Sequence, residues 1–136
     1  MQPPSTPPSH QPLAGVRVLD FTRVLAGPYG TMHLADLGAD VVKVERAGRG
    51  DDTRSYGPPD LDGISTYYLS VNRGKRSVAL DLKDPADRAT ARRLALAADV
   101  VCENFRPGVM ARLGLDADTL RADKPDLVYA TIRAFA

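Results

Sequence analysis

Five short runs rich in β-branched residues punctuate this chain, and each is separated from the next by a helix-like stretch or a turn-rich loop. They are Val16 to Phe21 (VRVLDF), Asp40 to Glu45 (DVVKVE), Ser77 to Leu82 (SVALDL), Asp99 to Glu103 (DVVCE) and Asp126 to Ile132 (DLVYATI). Strands joined through crossovers of this length run parallel, because a tight hairpin is the only short way to reverse them. The expected fold class is therefore α/β, a Rossmann-like, open, mostly parallel sheet with flanking helices.

The segments between the runs carry their own signals. Pro28 is compatible with a helix start, and Tyr29, Met32, Ala35 and Leu37 recur at helical spacing before Gly38. Arg46 to Gly63 is rich in Gly, Pro and Asp, so it reads as an irregular and functional loop. Ile64 to Val71 fits a helix or a strand. Asp84, Pro85 and Asp87 supply an N-cap, a first-turn proline and a first-turn acid for a helix through Ala98, with Ala91, Leu94, Ala95 and Ala98 as its apolar face. Pro107 opens a short helix toward Leu113, and Asp116 to Ala122 forms another.

The 136 residues, 43% of them hydrophobic, suffice for one domain with a real core and no disulfides. The single Cys102 falls in a strand and reads as inert packing. Eighteen Lys and Arg against seventeen Asp and Glu exclude a strongly basic nucleic-acid binder, and no apolar run reaches membrane-span length. Residues 1–12 hold five prolines and no charged side chain, which reads as a disordered leader without the marks of a secretory or mitochondrial signal. A cytoplasmic location is the expectation.

In open α/β sheets, ligands bind beyond the carboxyl ends of the strands. Thr22 and Arg23 follow the first run, Arg46 the second, Lys83 the third, and Asn104, Phe105 and Arg106 the fourth. Together they offer cations to anionic oxygens, an amide to a polar edge and an aromatic to a ring. Pro107 and Gly108 imply a sharp turn into a helix whose free N–H groups favour phosphate. A phosphate-bearing, nucleotide-like ligand is the local reading. Gly48 and Gly50 lack the remainder of a dinucleotide fingerprint and follow the wrong strand, which disfavours a dinucleotide-binding domain. His33 reads as a partly buried helix residue, Asp51 and Asp52 as solvated loop acids, and no His cluster suggests a metal.

Taken in order, LAGVRVLDFTRVLAGPYGTMHLADLGADVVKVERAGRGDDTRSYGPP, STYYLSVNRGKRSVALDLKDP and ADVVCENFRPGVMARLGL resemble the N-terminal segment of the family III CoA-transferases. This group, also called CaiB/BaiF, includes formyl-CoA, carnitine, succinate and glutarate CoA-transferases and the α-methylacyl-CoA racemases. The resemblance makes residues 13–136 the N-terminal part of a CoA-binding domain. It implies that Arg46 faces the adenosine end of CoA, that Leu80 and Lys83 pack on the adenine and meet the phosphates, that Asn104 and Phe105 line the nucleotide, and that Arg112 lies at the phosphates. Leu25 stands where formyl-CoA transferase has a glutamine. GDDTRSYGPP and STYYLSVNRGKRS are closer to the succinate and glutarate type than to the oxalate type.

The mechanism implied is CoA transfer between carboxylic acids, in which an aspartate attacks the acyl-CoA thioester to form a mixed anhydride. The resemblance puts that aspartate beyond the DLVYATI strand, so no catalytic residue and no transferase turnover are expected of these residues alone. Acyl-CoA is a substrate here, not a tightly bound cofactor. An acceptor acid and a second copy of the protein, in an interlocked homodimer, are the implied partners. A racemase branch and a non-catalytic CoA-binding module remain as alternatives.

Overall fold

A computed structural model describes residues 11–134 of the chain. Residues 1–10, most of the expected leader, lie outside the described residues, and Gln11 opens a turn in which its carbonyl accepts from Ala14 N–H at 3.0 Å.

The strands are β1 (Arg17–Asp20), β2 (Asp40–Arg46), β5 (Arg76–Leu80), β6 (Val100–Glu103) and β7 (Val128–Thr131), and a two-stranded hairpin is made by β3 (Asp60–Leu61) and β4 (Ile64–Ser65). The helices are α1 (Ala26–Asp36), α2 (Thr66–Asn72), α3 (Pro85–Ala97), α4 (Val109–Leu113) and α5 (Ala117–Asp123). The main sheet has the order β5-β2-β1-β6-β7, and every pairing in it is parallel. The chain builds outward from β1 through β2 to β5, then returns across α3 to β6 on the other side. That reversal places a topological switch point between β1 and β6, where a crevice opens beyond their carboxyl ends.

The central strands β1, β2 and β6 are covered on both faces, as a parallel sheet requires. Side chains alternate: Leu19, Val44 and Val101 turn toward Ala91, Ala95, Leu115 and Leu120 of the α3 to α5 side. Val18, Val41 and Cys102 turn the other way, with Leu34 and Ala35 of α1 packed against them. Ala91 and Ala95 are fully buried, so α3 sits close on the sheet through the apolar face read from its sequence. Asp84 caps α3 by accepting from Ala86 and Asp87 N–H. Asp116 does the same for α5 through Thr119 N–H.

Four local expectations are corrected. Helix α1 begins at Ala26, two residues before Pro28. The ambiguous Ile64 to Val71 splits into β4 and α2, with Ser65 capping the helix through Tyr67 N–H. The irregular loop contains a 3₁₀ turn, Asp52–Ser55, as well as the hairpin. Helix α4 starts at Val109 instead of Pro107, because Gly108 adopts a left-handed conformation with φ of 79°. No helix among the described residues is long and apolar enough to cross a membrane.

Candidate functional site

Beyond the carboxyl ends of β1, β2, β5 and β6 lies a cavity of about 310 Å³. Its floor is apolar: Phe21, Val44 and Leu80 come from the strand ends, and Phe105, Val109 and Leu113 from the segment after β6. Arg23, Arg46 and Lys83 stand at its rim. An apolar slot with an aromatic side and cations at its mouth suits a ring bearing phosphates.

Each rim cation is set by its loop. Arg46 ends β2, and its carbonyl accepts from Arg49 and Gly50 N–H, closing a tight turn. Gly50 takes φ of 74°, and a Cβ there would lie 2.6 Å from Arg54 Cδ. Lys83 follows β5 in a loop stitched by Asp81, whose carboxylate accepts from Lys83 N–H while its own N–H donates to Asp87. Arg23 pairs with Asp52 across the gap between the loops after β1 and β2.

Beneath the rim lies a layer of buried charge. Glu45 accepts from Arg54 Nε at 2.6 Å and from a second Arg54 nitrogen at 2.7 Å. Tyr68 Oη, Ser77 Oγ and Asp51 N–H donate to the same carboxylate. Burial disfavours the charge, but these donors together outweigh it and hold Glu45 down to about 2. The Arg54 guanidinium also lies 3.8 Å over the Tyr68 ring. Lys43, 1% exposed at its side chain, pairs with Asp51 at 2.9 Å and donates to the Thr22 carbonyl. Lys75 pairs with Asp20 at 3.0 Å, and Asp20 also accepts from Thr22 and Thr31 hydroxyls. Burial lowers the Lys75 ammonium below its ordinary value, against the pull of Asp20.

The structure brings Arg46, Leu80, Lys83 and Phe105 together around the cavity. Asn104 and Arg112 are not among its lining residues. The Asn104 amide is occupied by the Arg23 backbone, accepting from its N–H and donating to its carbonyl, each at 2.8 Å. Arg112 is exposed in the last turn of α4. Thr22 is fully buried. Arg106 borders a second depression, of about 290 Å³, with Glu103, Tyr129 and Arg133. At the helix start after Pro107, one of the N–H groups read as free is taken, because Val109 N–H donates to the Arg106 carbonyl.

Other readings also change. Asp51 is 3% exposed instead of solvated, and the backbone N–H groups of Thr53 and Val24 both donate to its carboxylate. His33 is exposed on α1. Cys102 is buried as expected, which pushes its thiol up to about 12 and leaves it unreactive near neutrality. In the sequence, DVVKVE reads as a strand and nothing assigns a partner to Lys43 or Glu45. Their partners come from loops and helices whose approach no short pattern encodes.

The geometry agrees with relationships to known proteins. Residues 13–136 match CoA-transferase family III. The mouse succinyl-CoA:glutarate CoA-transferase is 49% identical over 98% of this chain and 31% of its own length. The acetyl-CoA:oxalate CoA-transferase of Acetobacter aceti is 51% identical over 91% of this chain and 32% of its own length. A CAIB/BAIF family protein from Brucella suis superposes with a TM-score of 0.86 at 46% identity, over 91% of this chain and 34% of that one. The chain thus spans about a third of the length of the relatives it matches. With a matching family over all but its first residues, a shared fold and near 50% identity, the chain belongs to CoA-transferase family III.

Proposed function

We propose that this chain supplies the nucleotide-binding edge of a transferase that moves CoA between carboxylic acids. The observation that carries the reading is the apolar slot beside the β1/β6 switch point, with Arg46 and Lys83 at its mouth. In this reading the adenine lies against Leu80 and Phe105, and the phosphates meet Arg46 and Lys83, with Arg112 reached from the α4 side. Asn104 acts through the Arg23 backbone it holds.

The acids are dicarboxylates. The mouse relative is named for succinyl-CoA and glutarate, one from Haloarcula hispanica for succinyl-CoA and mesaconate, and the Acetobacter relative for oxalate. All four acids carry two carboxyl groups, and the near-equal identities favour that shared class over any one acid.

No residue described here is assigned as the nucleophile. A carboxylate that attacks a thioester needs a free oxygen facing the substrate. Asp20, Glu45 and Asp51 are instead held in ion pairs, and Glu103 accepts from Phe105 N–H and the Thr131 hydroxyl. Acyl-CoA, a dicarboxylic acid and a second copy of the protein are the proposed partners.

Isothermal calorimetry with CoA and with 3′-phosphoadenosine 5′-phosphate tests the nucleotide site. Saturable binding is expected, weakened about tenfold by Arg46→Gln, the usual effect of losing one charged hydrogen bond. No binding at millimolar CoA, or full affinity in the variant, overturns it.

A further inference from the structure

Arg23 is the rim cation to which the family resemblance gives no role, although its place after β1 put it among the candidate anion-binding residues, and its surroundings are unusual. Its backbone is fixed on both sides by the Asn104 amide, which spans the switch point between β1 and β6. The residue after it, Val24, has φ of 69°, a left-handed conformation that β-branched residues avoid. That strain persists because Asp51 accepts from Val24 N–H, and such strain gathers at ligand clamps and active sites. The turn separates Arg23, which lines the cavity, from Leu25, which is 48% exposed.

The Arg23 side chain remains 44% exposed while paired with Asp52, and Asp52 also lies 3.7 Å from Arg49. An exposed ion pair of this kind contributes little to stability. A guanidinium at a cavity mouth is well matched to a phosphate, which it can bind through two parallel N–H donors.

We propose that Arg23 is a third phosphate-binding cation of the nucleotide site, that Asp52 holds it in place until a phosphate displaces the carboxylate, and that Asn104 and the strained Val24 turn aim it. This rests on the cavity being a CoA site. In that exchange no covalent bond changes; the guanidinium trades one anion for another.

The test uses two substitutions that a purely structural ion pair would affect alike. CoA affinity of the 136-residue protein is measured by calorimetry from 50 to 300 mM salt, for the unsubstituted protein, Arg23→Gln and Asp52→Asn. Arg23→Gln is expected to weaken CoA binding about tenfold and to flatten its salt dependence. Asp52→Asn is expected to strengthen binding about two- to fivefold, by removing the competing anion. Equal weakening by both substitutions would reduce the pair to a loop tie and overturn the proposal. So would unchanged affinity in Arg23→Gln when the unsubstituted protein binds. Failure of the unsubstituted protein to bind CoA would overturn the nucleotide-site reading itself, and this role with it. Circular dichroism spectra matching the unsubstituted protein establish that both variants are folded, as expected for changes at side chains that are only partly buried.

Discussion

Replacing Glu45 by Gln removes one charge and almost no volume, so it isolates what the buried carboxylate does. In the folded protein Glu45 is held at about 2 against an ordinary 4.5. A separation of about 2.5 in pKa corresponds to about 3 kcal/mol of stability at neutral pH. Glutamine cannot recover it, because Arg54 donates to both carboxylate oxygens, so the amide N–H₂ would face a guanidinium N–H at whichever position it took. Because the folded value is depressed, the stabilisation is complete above pH 4.5 and is lost as pH falls toward about 2. Urea unfolding followed by circular dichroism at pH 7, 5, 3.5 and 2.5 reads this directly. With a slope near 2 kcal/mol per molar, the midpoint of Glu45→Gln should fall about 1.5 M below that of the unsubstituted protein at pH 7. The two curves should then converge as the solution is acidified. A gap under about 1 kcal/mol at pH 7, or one unchanged between pH 5 and pH 2.5, would refute the assignment of Glu45 as the charged centre of its network.

Two further substitutions test the backbone around the site. Gly27→Ala should lower the melting temperature, although alanine favours helices by about 1 kcal/mol, because its Cβ would lie 2.3 Å from Thr22 Cβ. Thr22 is fully buried and bonded to Asp20, so it cannot yield; a stabilised variant would contradict that packing. Val24→Gly should cost no more than about 0.5 kcal/mol in urea unfolding, since relief of the strained φ offsets the freedom gained by the unfolded chain. A loss above about 2 kcal/mol would mean that the side chain, and not the backbone, dictates this turn.

How much of this was legible in the sequence depends on how local each cause is. Asp84-Pro85 and its helix were readable because cap, first-turn proline and apolar face all lie within one segment. The parallel sheet followed from the alternation of strands with helices, and Arg46, Lys83 and Phe105 could be grouped because strand ends in such a sheet share one edge, whereas Leu80 came only with the family resemblance. Asn104 sits at that edge too, yet its amide turns inward to Arg23, a partner 81 residues away in sequence. The start of α4 was misplaced because a glycine conformation, which proline at the preceding position only hints at, decided it. Lys43 and Glu45 carried no signal beyond their place in a strand; both are buried because the central strands of a parallel sheet are covered on both faces, and their partners come from distant segments.

The buried charges also bear on how an anion is tolerated above them. Glu45 and Asp51 both border the cavity, and an unpaired carboxylate about 8 Å from a phosphate would repel it by roughly 2 kcal/mol at an effective dielectric constant near 20. Arg54 and Lys43 cancel those two charges at close range, as Lys75 cancels Asp20. A matched pair acts at a distance as a small dipole, so the field at the mouth is left to Arg23, Arg46 and Lys83, with Asp52 and Asp81 against them. The neutral layer therefore fixes the loops with charge-assisted bonds without making the slot hostile to phosphate. It also explains why a chain with net charge of only +1 can present a cationic site: the buried charges beneath the slot cancel in pairs, and three cations outnumber two carboxylates where the strand ends meet solvent.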